Sequence, residues 1–486
     1  MEFEAIIGLE VHAEIATRSK MFCSCPVLDT TQAEPNQAVC PVCSGMPGTL
    51  PVVNRRAVEL GLRVALALGC DIPPVSVFAR KNYFYPDLPK GYQISQYRYP
   101  LAVNGVLEIA VDGERRPIRV RRVHLEEDTG KLTHMQDEHG AYSLVDLNRA
   151  GVPLLEIVSE PDMRSAAEAR AYGEALRQIL RYLQVNSGDM QKGVLRFEAN
   201  VSLRPKGATG LGTRTEIKNL NSFRALERSI EYEIERQSAL LRRGETVIQQ
   251  TVGWDEAREI TLVQRGKEEE DDYRYFPEPD LPPLVISAEW LASIRSALPE
   301  LPHARQQRFE QAYGLRPYDA GVLTAEAEIA DYFEAVVRAA ADVPPRQVAN
   351  WITGELFGLL NRQEGRITHI PLPADEFAHL LRFVQAGEIN TAAAKRVLAE
   401  MLESGDPAAE IIARRGLRQI SDADALAAWV DQVLNENPAE VQAYLDGKEG
   451  LLNWFFGQVM RLSKGKADPQ VVRRVLEGRL QALKGE

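Results

Sequence analysis

Residues 8–14 read Gly-Leu-Glu-Val-His-Ala-Glu. A β-strand alternates its side chains between two faces, so Glu10, His12 and Glu14 share one face while Ile7, Leu9, Val11, Ala13 and Ile15 share the other. Alone, this is what any half-buried antiparallel strand looks like. The pattern returns three times, however. Residues 123–128 bring His124, Glu126 and Asp128 together, and residues 195–204 bring Arg196, Glu198, Asn200, Ser202 and Arg204 together. Residues 214–218 do the same for Arg214, Glu216 and Lys218. Four strands with acids, amides and cations on one face imply a sheet whose open side is an active site. Hard oxygen donors with one or two imidazoles suit Mg²⁺, which favours carboxylates, substrate phosphates and retained water. The interleaved Arg and Lys side chains are then placed to meet phosphate oxygens.

A second donor set is soft. Four of the five cysteines form Cys23-x-Cys25 and Cys40-x-x-Cys43, with Pro26, Pro35 and Asn36 in the fourteen-residue gap. Two thiolate hooks on tight turns match a closed tetrahedral Zn²⁺ site of structural type. The competing reading is two pairs of free or disulfide-linked thiols, and the lack of a leader-like N-terminus disfavours disulfides. Cys70 ends a helix-like run and reads as a small buried apolar residue. No Walker or Rossmann fingerprint occurs, because Asp128-Thr129-Gly130-Lys131 lacks the earlier glycine. Any nucleotide site must therefore rest on carboxylate-held Mg²⁺ and strand cations.

These strands need a scaffold, and 486 residues suggest about three domains at roughly 150 residues each. An apolar content of 45% is ample for sizeable cores. With a net charge of −12, binding to nucleic acid requires a local basic patch. The acidic start Met1-Glu2-Phe3-Glu4 does not resemble a leader, and the longest apolar run, Val58 to Cys70, is interrupted by Glu59 and Arg63. A soluble cytoplasmic protein is the expectation. Residues 80–97, with four Tyr, two Pro and three cations, are too irregular for a packed helix. They read equally as a surface loop stapled by aromatics or as a substrate-lining segment. Residues 268–272 form an acidic loop, and Tyr273 to Pro283 an extended closing segment. Beyond about residue 293 the apolar period becomes helical, as at Phe333–Ala340, Leu380–Val384 and Ala392–Leu402. Gly405-Asp406-Pro407 is a breaker, so the expected domains are 1–293, 294–407 and 408–486. Within the tail, residues 421–449 carry seven acids against Lys448 alone, whereas residues 461–486 carry seven Lys or Arg against three acids. That basic end is the local patch the whole-chain charge lacks.

The blocks IGLEVHAEI, CPVCSGMPGTLPVVN, RKNYFYPDLPKGYQISQY, HLEEDTGK, DLNRAGVPLLEIVSEPD, RFEANVSLRP, TRTEIKNLNSF and DYRYFPEPDLPPL, taken together, resemble the GatB members of the GatCAB tRNA-dependent amidotransferases. The resemblance runs nearly end to end. It implies an α+β fold: an antiparallel-sheet catalytic cradle like that of glutamine synthetase, an all-α helical domain, and a small YqeY-like tail that binds tRNA. It implies a subunit that uses ATP to phosphorylate the side-chain carboxylate of misacylated Glu-tRNA(Gln) or Asp-tRNA(Asn), then amidates it with ammonia. It assigns Glu10, His12, Glu126 and Glu216 to Mg²⁺, with Asp128, Glu198 and Asn200 as further candidates. Arg196, Arg214 and Lys218 are implied contacts for phosphate or carboxylate, and Lys81, Tyr83 and Tyr85 an ammonia gate. The family frequently carries Asp where this chain has Glu198, whose longer arm bears on its role as a ligand. No nucleophile-and-base pair suited to releasing ammonia from glutamine is visible here. The implied source of ammonia is a GatA-type glutaminase subunit, braced by a small GatC-type subunit. Two other readings are a stand-alone carboxylate–ammonia ligase of glutamine-synthetase type and a zinc-stabilised tRNA-binding scaffold. The helical extension and basic tail argue against the first. Clustered carboxylate strands, which repel RNA unless a metal is bound, argue against the second.

Overall fold

The structure, a computed structural model, describes residues 2–138, 140–266, 273–362, 372–419, 423–463 and 466–484. The acidic run at 268–272 lies outside the described residues. The chain divides into two compact units, Met1–Pro302 and His303–Glu486.

The first unit runs β1 (Phe3–Glu14), α1 (Arg55–Ala67), β2 (Val75–Ser76), β3 (Ala79–Asn82), β4 (Tyr92–Ser95), β5 (Ala102–Val111), β6 (Glu114–Glu127), β7 (Lys131–Asp137), β8 (Gly140–Asp146), β9 (Pro153–Ser159), α2 (Ala166–Tyr182), β10 (Leu195–Pro205), β11 (Thr215–Leu220), α3 (Phe223–Arg242), β12 (Gln250–Asp255), β13 (Ile260–Gly266), β14 (Phe276–Pro277), β15 (Leu284–Val285) and α4 (Ala288–Ser296). Eight strands form one sheet in the order β13-β12-β11-β10-β1-β9-β6-β5. Neighbours are antiparallel except for β11 and β12, which run parallel.

The apolar positions of β1 decide which way the sheet faces. Ile7, Leu9, Val11 and Ala13 are all buried, in one core with Val58 and Leu62 of α1, Tyr172 and Leu176 of α2, and Leu226 and Ile230 of α3. Each of these helices opens on a side-chain cap: Asn54 accepts from Arg56 and Ala57, Ser165 from Glu168, and Ser222 from Ala225. Three helices on one face leave the other free to carry charge.

Register then lines up the polar residues across strands. His12 stands opposite Arg196 of β10 and Glu156 of β9, and Glu156 stands opposite His124 of β6. One step along, Glu10 faces Glu198, and Asn200 faces Glu216. Residues 80–97 are neither of the two alternatives in pure form. They fold as the β3–β4 hairpin, joined by β14 into a small sheet.

The second unit is helical and holds two apolar clusters, one spanning Phe309 to Ile412 and the other Leu426 to Leu480. The three helical stretches read from periodicity fall in helices Ala327–Ala339, Ala374–Gln385 and Thr391–Ser404. The last of these stops at Gly405 with φ 75°, a left-handed conformation that suits a residue without Cβ. A single π-turn, Trp351–Leu356, interrupts the α-helical path. Among the described residues no helix is long and apolar enough to cross a membrane.

Candidate active site and cysteine centre

The charged face of the sheet opens on a cavity of about 650 Å³. Strand β1 contributes Glu10 and His12, β6 contributes His124 and Glu126, β9 Glu156, β10 Arg196 and Glu198, and β11 Glu216 and Lys218. Asp128 and Arg214 line it from positions flanking β6 and β11, and Lys81 and Tyr83 reach it from the β3–β4 hairpin.

Two acidic groups occupy the floor. Ligand atoms of His12, Glu126 and Glu156 lie within 4.8 Å of one another, as do those of Glu10, Glu198 and Glu216. Burial raises the Glu10 pKa, and the charges of Glu156, Glu198 and Glu216 push it the same way. Asn200 donates to Glu10 at 2.9 Å, while its own buried Oδ1 has no partner. An orphaned acceptor beside three crowded carboxylates is what a cation or a cation-bound substrate would relieve. Hard oxygen donors with one imidazole fit Mg²⁺ at both groups.

The first group is wired by histidines. His12 Nε2 stands 3.5 Å from Glu156 and 3.8 Å from Glu126, and His124 Nε2 stands 3.1 Å from Glu156. Burial alone would lower the His12 pKa, but the Glu156 hydrogen bond and the surrounding carboxylates outweigh it and hold it up to about 9. Glu156 moves the other way: burial opposes its ionisation, yet the two histidines hold it well below the usual range. Ser95 Oγ donates to Glu126 at 3.1 Å.

Cations are held in place by the same acids. Lys218 donates to Glu198 at 2.8 Å and stands 3.7 Å from Glu216, which also accepts from Thr251 at 2.8 Å. Arg196 donates to Asp128 at 2.7 Å, with Arg149 at 3.6 Å. Burial works against Asp128, but these two guanidinium groups keep it ionised below its ordinary value. Lys81 points at the Tyr273 ring, 4.8 Å from its centroid, and Tyr83 donates to Gln93 at 3.2 Å.

The cysteine cluster is compact in a different way. One sulfur of each of Cys23, Cys25, Cys40 and Cys43 lies within 4.8 Å of the others. The Cys40–Cys43 and Cys25–Cys43 sulfurs are 3.8 and 4.0 Å apart. A tetrahedral zinc with bonds of about 2.3 Å needs sulfurs about 3.8 Å apart, so the donor set fits Zn²⁺ without rearrangement. A hydrogen bond from Cys23 is the main force lowering the Cys43 thiol to about 4, against burial and with help from Lys20. Cys70 stands apart, and burial pushes it up to about 12.

A second cavity, of about 280 Å³, lies between this cluster and the hairpin and is lined by Cys43, Lys90, Tyr92, Ile94 and Glu127 among others. Gln93 faces the large cavity while its neighbours Tyr92 and Ile94 face the small one, so β4 forms the wall between them.

Most residues singled out from sequence meet in the large cavity. Asn200 supports it from behind through Glu10. Tyr85 is 52% exposed and does not line it. Glu156, His124, Arg149, Gln93, Tyr97 and Tyr275 line it too, although the sequence reading assigns them no role. His124 belongs to the alternating stretch at 123–128, which is the signal that points to it. Glu156 is hidden in the sequence because Leu154 and Val158 share its face and break the alternation.

Comparison with known proteins covers both units. The family model described as the GatB/GatE catalytic domain matches residues 5–292, and the one described as the GatB domain matches residues 331–480. A Moorella thermoacetica protein, named as the GatB-type component of an aspartyl/glutamyl-tRNA(Asn/Gln) amidotransferase, is 55% identical, across 99% of this chain and 100% of its own length. Proteins of the same name from Thermomicrobium roseum and Thermotoga maritima are 53% and 47% identical, each covering at least 99% of both chains.

Proposed function

This chain belongs to the family of GatB-type amidotransferase subunits, and from that premise we propose that it amidates the side-chain carboxylate of misacylated Glu-tRNA(Gln) or Asp-tRNA(Asn) at the expense of ATP. A carboxylate is inert toward ammonia until one oxygen becomes a leaving group. Transfer of the γ-phosphoryl group of ATP to that oxygen yields an acyl phosphate and ADP. Ammonia then attacks the acyl carbon, phosphate departs, and the nitrogen loses its proton to leave the amide.

The observation that carries this reading is the pair of acidic groups on one sheet face with cations interleaved. The residues that would hold Mg²⁺ are Glu10, His12, Glu126 and Glu216, joined by Glu156 and Glu198. When bound, Mg²⁺ neutralises phosphate charge and aligns the transferring group. Arg196, Arg214 and Lys218 bind phosphate or carboxylate oxygens, and Asp128 keeps the Arg196 fork oriented. Lys81 and Tyr83 form the gate through which ammonia enters, with Tyr85 on its outer side. The four cysteines hold a structural Zn²⁺.

The partners in this reading are a GatA-type glutaminase subunit that supplies ammonia and a small GatC-type subunit, in a cytoplasmic heterotrimer. The functional divisions are a catalytic cradle at 1–293, a helical domain at 294–407 and a tRNA-binding tail at 408–486. The stand-alone ligase reading is not favoured, since the amidotransferase relatives match along the helical part as well as the sheet.

The test is ATP cleavage by the full chain with its partner subunits. Cleavage should require Mg²⁺ and rise only when misacylated tRNA is added. Stimulation by free glutamate or aspartate would return the site to the stand-alone ligase reading.

A further inference from the structure

Lys20 is fully buried. Its ammonium has three hydrogen-bond partners: the Ala38 carbonyl at 2.7 Å, the Leu147 carbonyl at 3.1 Å and Cys43 Sγ at 3.7 Å. None of them is a carboxylate. Three acceptors, two of them carbonyls, use all three donors of a charged ammonium. A buried charge of this kind is costly unless an opposite charge answers it. The nearest such charge is the cysteine centre itself, because Zn²⁺ held by four thiolates is doubly negative. The Cys40 amide also donates to Cys43 Sγ, at 3.2 Å.

We propose that Lys20 is the counter-cation of the metal–thiolate centre and the pin that fastens it to the segment carrying Arg149. The proposal rests on the zinc reading of that centre.

The fastening follows from residues on either side of Arg149. The Leu147 carbonyl accepts from Lys20. Next to it, the buried Asn148 side chain accepts from the Ala38 amide at 2.8 Å and donates to the Glu34 carbonyl at 2.8 Å. Beyond Arg149, the Gly151 carbonyl accepts from the Met21 amide at 2.7 Å. Gly151 itself has φ 87°, and a Cβ there would sit 3.5 Å from both Cys43 Cβ and the Lys20 stem. Arg149 is thus anchored on both sides by the metal-binding segment. Its own side chain donates to the Thr129 and Gly130 carbonyls at 3.0 and 2.6 Å and reaches the cavity beside Asp128. Lys20 is a positioning residue, acting on the cavity through this segment and not through substrate.

The experiment uses the full zinc-loaded chain and follows release of metal to excess colorimetric chelator. Lys20→Met keeps most of the length and removes the charge, so release should accelerate roughly tenfold or more, as for the loss of outer-shell partners of a metal site. Lys20→Arg keeps the charge and should fall between Lys20→Met and the parent. Should Lys20→Met not fold, the parent protein is reductively methylated with and without chelator. Lys20 should resist methylation while metal is bound and react once it is stripped, as read by peptide mass spectrometry. Zinc in the parent together with parent-like release from Lys20→Met, or equal protection of Lys20 with and without metal, overturns the proposal alone. A parent chain that binds no zinc overturns the zinc reading as well.

Discussion

In the helical unit, Arg305 donates to Asp331 and to Glu334 at 2.6 Å each, Arg308 donates to the same Glu334 at 2.7 Å, and Tyr313 closes on it at 3.0 Å. In the sheet unit, Glu10 has Glu198 and Glu216 as neighbours, and one amide, Asn200, as a donor. Both glutamates sit among charged side chains, yet they respond in opposite directions. Burial works against Glu334, but the arginines and the tyrosine overcome it and hold its pKa down to about 2. Burial and three like charges together push Glu10 up. Opposite charges placed in contact are a structural device. Like charges placed in contact are destabilising in the bare protein, and they make sense where a cation completes the set.

Changing one acid at each place tests that contrast most directly. Glu126→Gln preserves size and removes a negative donor, so ATP-dependent amidation should fall by about a thousandfold, roughly 4 kcal/mol of barrier. The thermal midpoint should hardly move, which calorimetry on the same sample would check. Near-normal turnover at saturating Mg²⁺ would mean that the acidic face is only solvated surface. Glu334→Gln should behave in reverse, losing about 2 kcal/mol of stability through its charged hydrogen bonds while kcat and KM for ATP stay as they were. A catalytic defect there, with stability intact, would erase the distinction.

Acid sharpens the comparison further. Because Glu334 is held at about 2, below the ordinary 4.5 of a free glutamate, its contribution to stability is complete above about pH 4.5. It is lost as the pH falls toward 2. Acid titration of the helical unit, followed by circular dichroism, should show this loss, and Glu334→Gln should flatten it. A variant with an unchanged acid profile would show that other groups carry the dependence.

The smallest effect is expected at Glu10. In metal-free protein Glu10→Gln relieves like-charge crowding and should gain about 1 kcal/mol of stability at neutral pH, the pattern of a site that trades stability for function. Urea unfolding in the presence of chelator measures it. A loss of similar size would show that Glu10 is already compensated in the bare protein.

Much of this site is legible along the chain because its strands alternate cleanly. Glu10 and His12 on β1, His124 and Glu126 on β6, and Glu198 and Asn200 on β10 all follow from a two-residue period. The cysteine hooks are legible too, since ligand spacing within each hook is local. Glu156 escapes because its strand is apolar on both faces around a single acid. Lys20 escapes as well, since nothing in Ser19-Lys20-Met21 separates a buried ammonium from a surface one. The β3–β4 hairpin escapes because its strands are four residues each and interrupted by Pro86 and Pro89.

Taken by itself, the sequence determined which side chains share a face, which helices cap, and which cysteines pair by spacing, because each depends on neighbours a few bonds away. Tertiary structure alone decided that Glu156 stands between His12 and His124, and that Glu10, Glu198 and Glu216 form one group. Those contacts depend on the register of strands far apart in the chain. A slip of one residue would turn every acid on a strand toward the core, so the buried face sets the register and the register assembles the site.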